Sequence, residues 1–221
     1  MEAAAATHMG PLALLGTAFV IGLSGAVMPG PVLAVTITHA ARQGFKAGPL
    51  ITLGHGLLEA ALLIALVAGL GPILTKPTVA GLIAAVGAVI LLWMGAGMLR
   101  SLPGLRLDFD QGAATAAGPV RDGVLLSLAN PYWSLWWATV GLSLTAMAMA
   151  SGLGWWGLAL FWAGHVSSDL VWYSLVSAVV AKGRRFITDK VHRVVVGVCA
   201  VFLLAFSVYF GFFAWEKLLP A

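Results

Sequence analysis

Six long apolar runs take up nearly the whole chain, at roughly residues 12–38, 47–70, 78–99, 120–148, 155–180 and 192–214. About 20 apolar residues in a helix reach across the hydrocarbon core of a bilayer, and every run is at least that long. Polar positions gather between the runs, and few interrupt them. The pattern predicts an all-α membrane protein of six transmembrane helices in a single transmembrane domain over residues 1–221. It leaves no room for a separate soluble domain, and no long linker or low-complexity tract is visible.

Composition agrees. Of 221 residues, 61% are hydrophobic and 9% charged, against about 25% charged in a soluble domain. The mean hydropathy is +0.99. The opening residues carry no Lys or Arg, so the first run is expected to be a retained helix rather than a cleaved signal. The single Cys199 excludes an internal disulfide and a CxxC redox pair; a small apolar packing role suits it.

The net charge of +4 is read as membrane orientation, with no nucleic-acid partner expected. The first, third and fifth loops hold Arg42 and Lys46; Arg100, Arg106 and Arg121; and Lys182, Arg184, Arg185, Lys190 and Arg193. The opposite side holds only Lys76 and Lys217. Basic loops stay cytoplasmic, which puts both termini outside a multi-pass protein of the cell (plasma or inner) membrane. Trp155, Trp156 and Trp215 then fall at outer helix ends, where indole rings favour the interface.

Within the apolar runs, a few polar residues recur in order. "GHGLLE" (Gly54 to Glu59) lies in the second run and "GHVSSD" (Gly164 to Asp169) in the fifth. Each follows a run with a central proline, "VMPGPVL" in the first and "LANPYWS" in the fourth. The order is proline-broken helix, acidic helix, plain helix, twice over. Three helices per half means that the second half enters the bilayer upside down, a recurring transporter architecture. The expectation is two inverted three-helix repeats, at about 12–100 and 119–215, joined by a cytoplasmic loop at about 101–118.

Glu59 and Asp169 fall near mid-span. An ionised acid at the bilayer centre costs roughly 3 kcal/mol or more, so each must face protein or water, or be protonated. Such acids suit a mechanism in which a proton and a cationic substrate group compete for one carboxylate; a plain hydrogen bond to a neighbouring helix is the structural alternative. His55 and His165 sit one turn before the acids, on the same helix face. Three roles fit them: orienting the carboxylate, relaying protons, or joining the acids as ligands of a divalent cation. The orienting role ranks first, no residue is assigned as a metal ligand, and no cofactor is expected. His8, His39 and His192 receive no role. Ser167 and Ser168, beside Asp169, are hydroxyl donors for an ion or the nearby backbone.

Pro29-Gly30-Pro31 removes two backbone donors and predicts an interrupted helix. The freed groups must face protein or a wet cavity, and the segment starting at Pro31 presents a partly positive helix N-terminus suited to a substrate carboxylate. Asn130-Pro131 reads as a cap followed by a proline in the first helical position. Trp133, Trp136 and Trp137 are too deep for an interfacial belt and either line a pocket or pack between helices. Gly81, Ala85, Gly87, Gly95 and Gly97 suit close helix contact in the third run.

"MPGPVLAVTITHAARQGFKAGPLITLGHG" resembles the first-half signature of the lysine-exporter (LysE/RhtB-type) amino-acid efflux carriers, with PGP followed by Gly44, Gly48 and Gly54. "GAVILLWMGAGMLR" resembles their third-helix pattern, and "DGVLLSLANP" their Asn-Pro signature. The likeness runs from about residue 12 to the end. It implies six helices in two inverted triplets and ion-driven export of amino acids or similar small molecules, and it carries over Pro29, Gly30, Pro31, Asn130 and Pro131. Many relatives have lysine after Asn-Pro; here Tyr132 and Trp133 follow.

The expected function is therefore a secondary exporter of a small zwitterionic or cationic metabolite, an amino acid first, coupled to a proton or sodium ion and working among membrane lipid, with a homo-oligomer left open. The substrate and ion site is assigned to Pro29, Gly30, Pro31, His55, Glu59, Asn130, Pro131, Trp133, His165 and Asp169. The alternative is a divalent metal cation transporter on the same scaffold. A membrane enzyme finds no nucleophile-base set and no nucleotide loop, and an ATP-driven pump finds no Walker sequence.

Overall fold

The computed structural model describes residues 9–74, 76–105, 118–183 and 188–219. Arg106, Arg184 and Arg185, most of the loop at about 101–118, and the side chain of His192 lie outside the described residues. The described residues are mostly helical: α1 (Pro11–Ala26), α2 (Pro31–Gln43), α3 (Ala47–Ala65), α4 (Gly71–Leu74), α5 (Pro77–Ser101), α6 (Gly118–Leu128), α7 (Pro131–Trp136), α8 (Leu142–Ala150), α9 (Trp155–Lys182) and α10 (Asp189–Leu218).

Local chemistry sets the boundaries. Prolines open α1, α2, α5 and α7, where the missing N–H would have no partner anyway. The Thr188 hydroxyl accepts from Val191 N–H at 3.3 Å and caps α10, which has Asp189 in its first turn and Lys217 in its last. Between α3 and α4 the backbone widens into a π turn at Leu66–Leu70, with Gly69 at φ 120°, a conformation that L side chains rarely adopt.

Polarity is distributed the opposite way from a water-soluble protein. Leu57, Ile64, Val86, Val89, Trp93, Val201, Val208 and Phe212 are exposed, whereas His39, His55, Glu59, Asp122, His165 and Asp169 are buried. That arrangement is stable where the solvent is hydrocarbon. Among the described residues, three helical stretches are long and apolar enough to cross a bilayer: Pro31–Ile73, Pro77–Gly104 and Asp189–Leu218. The first joins parts of two expected runs, since α2 passes into α3 through a tight turn at Gly44–Lys46. The first and fourth runs are each divided, α1 from α2 and α6 from α7.

Helix directions follow from the close contacts. α1 and α9 run in the same sense, with Leu15 against Gly164 and Gly22 against Ser168. α3 runs against α9, with Gly48 on Tyr173 and Gly56 on Val166. The α6–α8 segment also runs against α9: Trp136 stacks on His165, and Ala148 meets Gly157. α5 and α10 are antiparallel, with Gly81 on Leu218 and Gly95 on Leu204. A carbonyl faces each of Gly48, Gly54, Gly123 and Gly164 so closely that a β-carbon would overlap it, the small-residue packing typical of membrane helices. In the third run, Gly81, Gly87 and Gly95 meet neighbours, but Gly97 has open space around it.

The described basic residues of the first, third and fifth loops share one end of the bundle. Ile37, Ala40, Ala41, Ala47 and Val180 form a cluster there, and the Arg193 side chain donates to the Leu105 carbonyl at 2.9 Å. Lys217 lies at the other end, beside Gly81. Cys199 is buried in α10 as a free thiol.

Candidate functional site

The site lies at the middle of the bundle, where the breaks in the first and fourth runs face the polar turns of α3 and α9. The chain leaves helical geometry after Ala26 and resumes at Pro31. Gly30 caps α2 with no side-chain bond, so no side chain of the cap residue satisfies the first amides of α2. The second break differs: the Asn130 side-chain oxygen accepts from Tyr132 N–H at 3.1 Å. The two half-helix starts, alike in sequence, are therefore unequal, one open and one self-capped.

The two carboxylates and two imidazoles come together. His55 Nε2 and His165 Nε2 each lie 3.0 Å from Glu59 Oε1, and each lies 3.8 Å from Asp169 Oδ2. Helical spacing alone brings His55 to Glu59. Only the packing of α3 on α9 brings His165, 106 residues away, to the same oxygen. One donor atom from each of the four can be chosen so that all lie within 4.8 Å of one another, and all four residues are buried.

Tryptophans and a serine hold the cluster in place. The indole N–H groups of Trp137 and Trp133 donate to Glu59 Oε1 at 2.9 and 3.2 Å. Trp137 begins a π turn at Trp137–Gly141, the kind of local widening that often re-aims side chains at functional sites. Trp136 stacks on His165 with centroids 4.7 Å apart. The Ser127 hydroxyl donates to the Gly123 carbonyl at 2.6 Å, and its oxygen lies 2.6 Å from His55 Nδ1. Ser168 and Ser167 bond back to carbonyls of their own helix, His165 and Ala163, rather than into the cluster.

A cavity of about 60 Å³ opens onto these groups, enough for water. Its lining includes Pro29, Gly30, His55, Glu59, Asn130, Trp133, His165 and Asp169, together with Ser127, Tyr132, Trp136 and Tyr173. Pro31 and Pro131 do not line it; they shape the half-helices that do. Sequence reasoning missed Ser127 and Tyr173, which carry no periodic signal.

It also missed a second buried pair. His39, given no role above, is fully buried and places Nε2 2.7 Å from Asp122 Oδ2, tying α2 to α6; Gln43 Nε2 lies 3.3 Å from His39 Nδ1. The available signal was Asp122 itself, an acid opening an apolar run in "VRDGVLL".

Comparison with known proteins agrees with the resemblance noted in the sequence. The chain is 27% identical over 205 residues to YcgF of Bacillus subtilis, named as an amino acid efflux protein, covering 90% of this chain and 96% of that one. It is 26% identical over 201 residues to the chemotactic transduction protein ChpE of Pseudomonas aeruginosa, covering 89% and 96%. A leucine efflux protein of Klebsiella pneumoniae is 30% identical over 124 residues, covering 53% of this chain and 54% of that one. No solved structure matches the chain at a significant level. The family model for the LysE type translocator matches residues 23–212, and this chain belongs to that family of membrane transporters.

Proposed function

We propose that this chain is a secondary exporter that carries amino acids or similar small zwitterionic metabolites across the cell membrane, by ion-coupled alternating access. One observation carries the reading: a single cavity is lined both by the uncapped start of α2 at Gly30 and by the buried carboxylates of Glu59 and Asp169. The helix start suits a substrate carboxylate, and the acids suit its ammonium group. Proton or sodium competes with that ammonium for the same carboxylates, which couples the two movements. Pro29, Pro31, Asn130 and Pro131 keep the half-helices broken, and Trp133 holds Glu59 in place. The efflux names of two relatives support this substrate class.

The proposal includes six spans in two inverted triplets, with both termini outside. The support is directional: α1–α2 and α6–α8 run oppositely, as do α3 and α9, and α5 and α10. Gly54 and Gly164, at the same place in the two polar motifs, each meet the broken helix of the other half. The described basic residues at one end of the bundle favour a cytoplasmic assignment for that end.

Purified protein in liposomes should move labelled amino acids under an imposed proton or sodium gradient, and Glu59→Gln should abolish coupled flux. Coupling unchanged in that variant would refute the role of Glu59. The four-residue cluster favours a second reading, a divalent cation as cargo; metal flux with no amino-acid flux would decide for it.

A further inference from the structure

The His55–Glu59–His165–Asp169 cluster has features that hydrogen bonding alone leaves unexplained. The first is a matter of tautomer. Ser127 has one hydroxyl proton and lies 2.6 Å from both the Gly123 carbonyl and His55 Nδ1. A carbonyl cannot donate, so the serine proton goes to Gly123, and His55 Nδ1 must carry the proton it gives to the serine oxygen. If the ring is neutral, Nε2 presents a bare lone pair to a carboxylate oxygen 3.0 Å away. The contact therefore calls for a positive charge at that point, supplied either by a proton on Nε2 or by a metal ion.

The second feature is crowding. Glu59 Oε1 already receives two indole N–H bonds, which fill its two lone pairs. Yet two imidazole nitrogens also stand 3.0 Å from it, while Glu59 Oε2 and Asp169 Oδ2 are buried with no hydrogen-bond partner among the described residues. At 3.8 Å, Asp169 is too far from either ring for a hydrogen bond.

The third feature is the spacing. In a tetrahedral site with bonds of 2.0–2.1 Å, neighbouring donor atoms stand about 3.3 Å apart. The imidazole nitrogens stand 3.8 Å from Asp169 Oδ2, and one donor atom from each of the four residues lies within 4.8 Å of the others, so the set must draw in on binding.

We propose that His55 Nε2, His165 Nε2 and one carboxylate oxygen each from Glu59 and Asp169 bind a resident divalent transition-metal ion on the wall of the central cavity. Two neutral imidazoles and two carboxylates bring a charge of −2, which one such ion cancels within the bundle. The mixed N/O set suits Zn²⁺, Co²⁺ or Ni²⁺ rather than Mg²⁺ or Ca²⁺, and the absence of sulfur from the set disfavours Cu⁺. Part of a supporting layer is in place: Ser127 bonds His55 Nδ1, and Trp133 and Trp137 hold the Glu59 carboxylate, whereas His165 Nδ1 is buried with no partner among the described residues. With the ion bound, Glu59 and Asp169 are no longer open to a substrate ammonium or a coupling proton, so this inference is an alternative to that part of the proposed function and does not depend on amino-acid export.

The test is metal binding by the full chain in detergent. Chelator-stripped protein is dialysed against Zn²⁺ or Co²⁺ and the bound ion counted. One ion per chain, intense visible bands from four-coordinate Co²⁺, and a raised unfolding temperature on Zn²⁺ addition are expected. His165→Ala and Asp169→Asn should each weaken binding more than 100-fold. Trp137→Phe, which keeps an aromatic ring but loses the N–H and leaves a cavity, should weaken it about 10- to 100-fold, with folding checked by circular dichroism. Because ligand variants can misfold, X-ray absorption of the wild-type protein provides an independent reading, with two imidazoles expected around the metal. Substoichiometric uptake by wild-type protein, or equal uptake by folded His165→Ala, overturns the site. Net Zn²⁺ movement into liposomes overturns its residency.

Discussion

Replacing Gly54 with alanine tests how tightly the polar site is tied to helix packing. The added β-carbon would overlap the Val120 carbonyl oxygen and stand only 2.8 Å from its carbon, where ordinary contact begins at 3.4 Å. Both partners are backbone, so neither can swing aside. The carbon contact alone asks α3 and α6 to part by about 0.6 Å and the overlapped oxygen asks for more, which a close-packed interior resists. Overpacking of this kind costs about 1–3 kcal/mol. The same movement stretches the 2.6 Å contact between His55 and Ser127, for about another 0.5–1.5 kcal/mol. Greater helix propensity returns up to about 1 kcal/mol. Gly97→Ala is the control, because nothing lies within 4 Å of its β-carbon position, so it gains propensity without the clash. The two variants should therefore differ by about 2–4 kcal/mol. Thermal or denaturant unfolding in detergent, followed by circular dichroism, measures the difference. Gly54→Ala as stable as Gly97→Ala would refute the close crossing, and with it the account of how His55 is placed. Gly164→Ala should behave like Gly54→Ala, since its β-carbon would overlap the Leu15 carbonyl of α1.

The remaining predictions concern the other polar elements. His39→Ala should cost about 1–3 kcal/mol in the same unfolding assay, because it removes one hydrogen-bond partner of the buried Asp122 carboxylate; His39→Gln, which keeps a donor, should cost less, and wild-type stability in both would show that the pair contributes nothing. Pro31→Ala should restore an amide donor, let α1 continue toward α2, and weaken amino-acid binding roughly fivefold by displacing the helix start. Unchanged affinity, read by equilibrium binding, would remove the broken-helix argument.

The sequence by itself determined the features that arise from nearest neighbours and composition. Apolar run length and the scarcity of charge set an all-helical membrane class, because hydrocarbon satisfies no backbone polar group and leaves helices as the solution. Proline at positions 31 and 131 placed helix starts, because its missing N–H and fixed φ act locally. Helical period alone brought His55 within reach of Glu59. What the tertiary structure decided was which partners lay across the bundle. His165 meets Glu59 across 106 residues of chain, Trp137 across 78, and His39 meets Asp122 across 83. No local pattern encodes such meetings. They follow from where glycines let helices touch, and the same packing gave Trp133 and Trp137 to a carboxylate and sent Ser167 and Ser168 back to their own helix. The inequality of the two half-helix starts was likewise invisible in the proline pattern, because it depends on Asn130 turning its side chain onto Tyr132 N–H, while Gly30 has no side chain to turn.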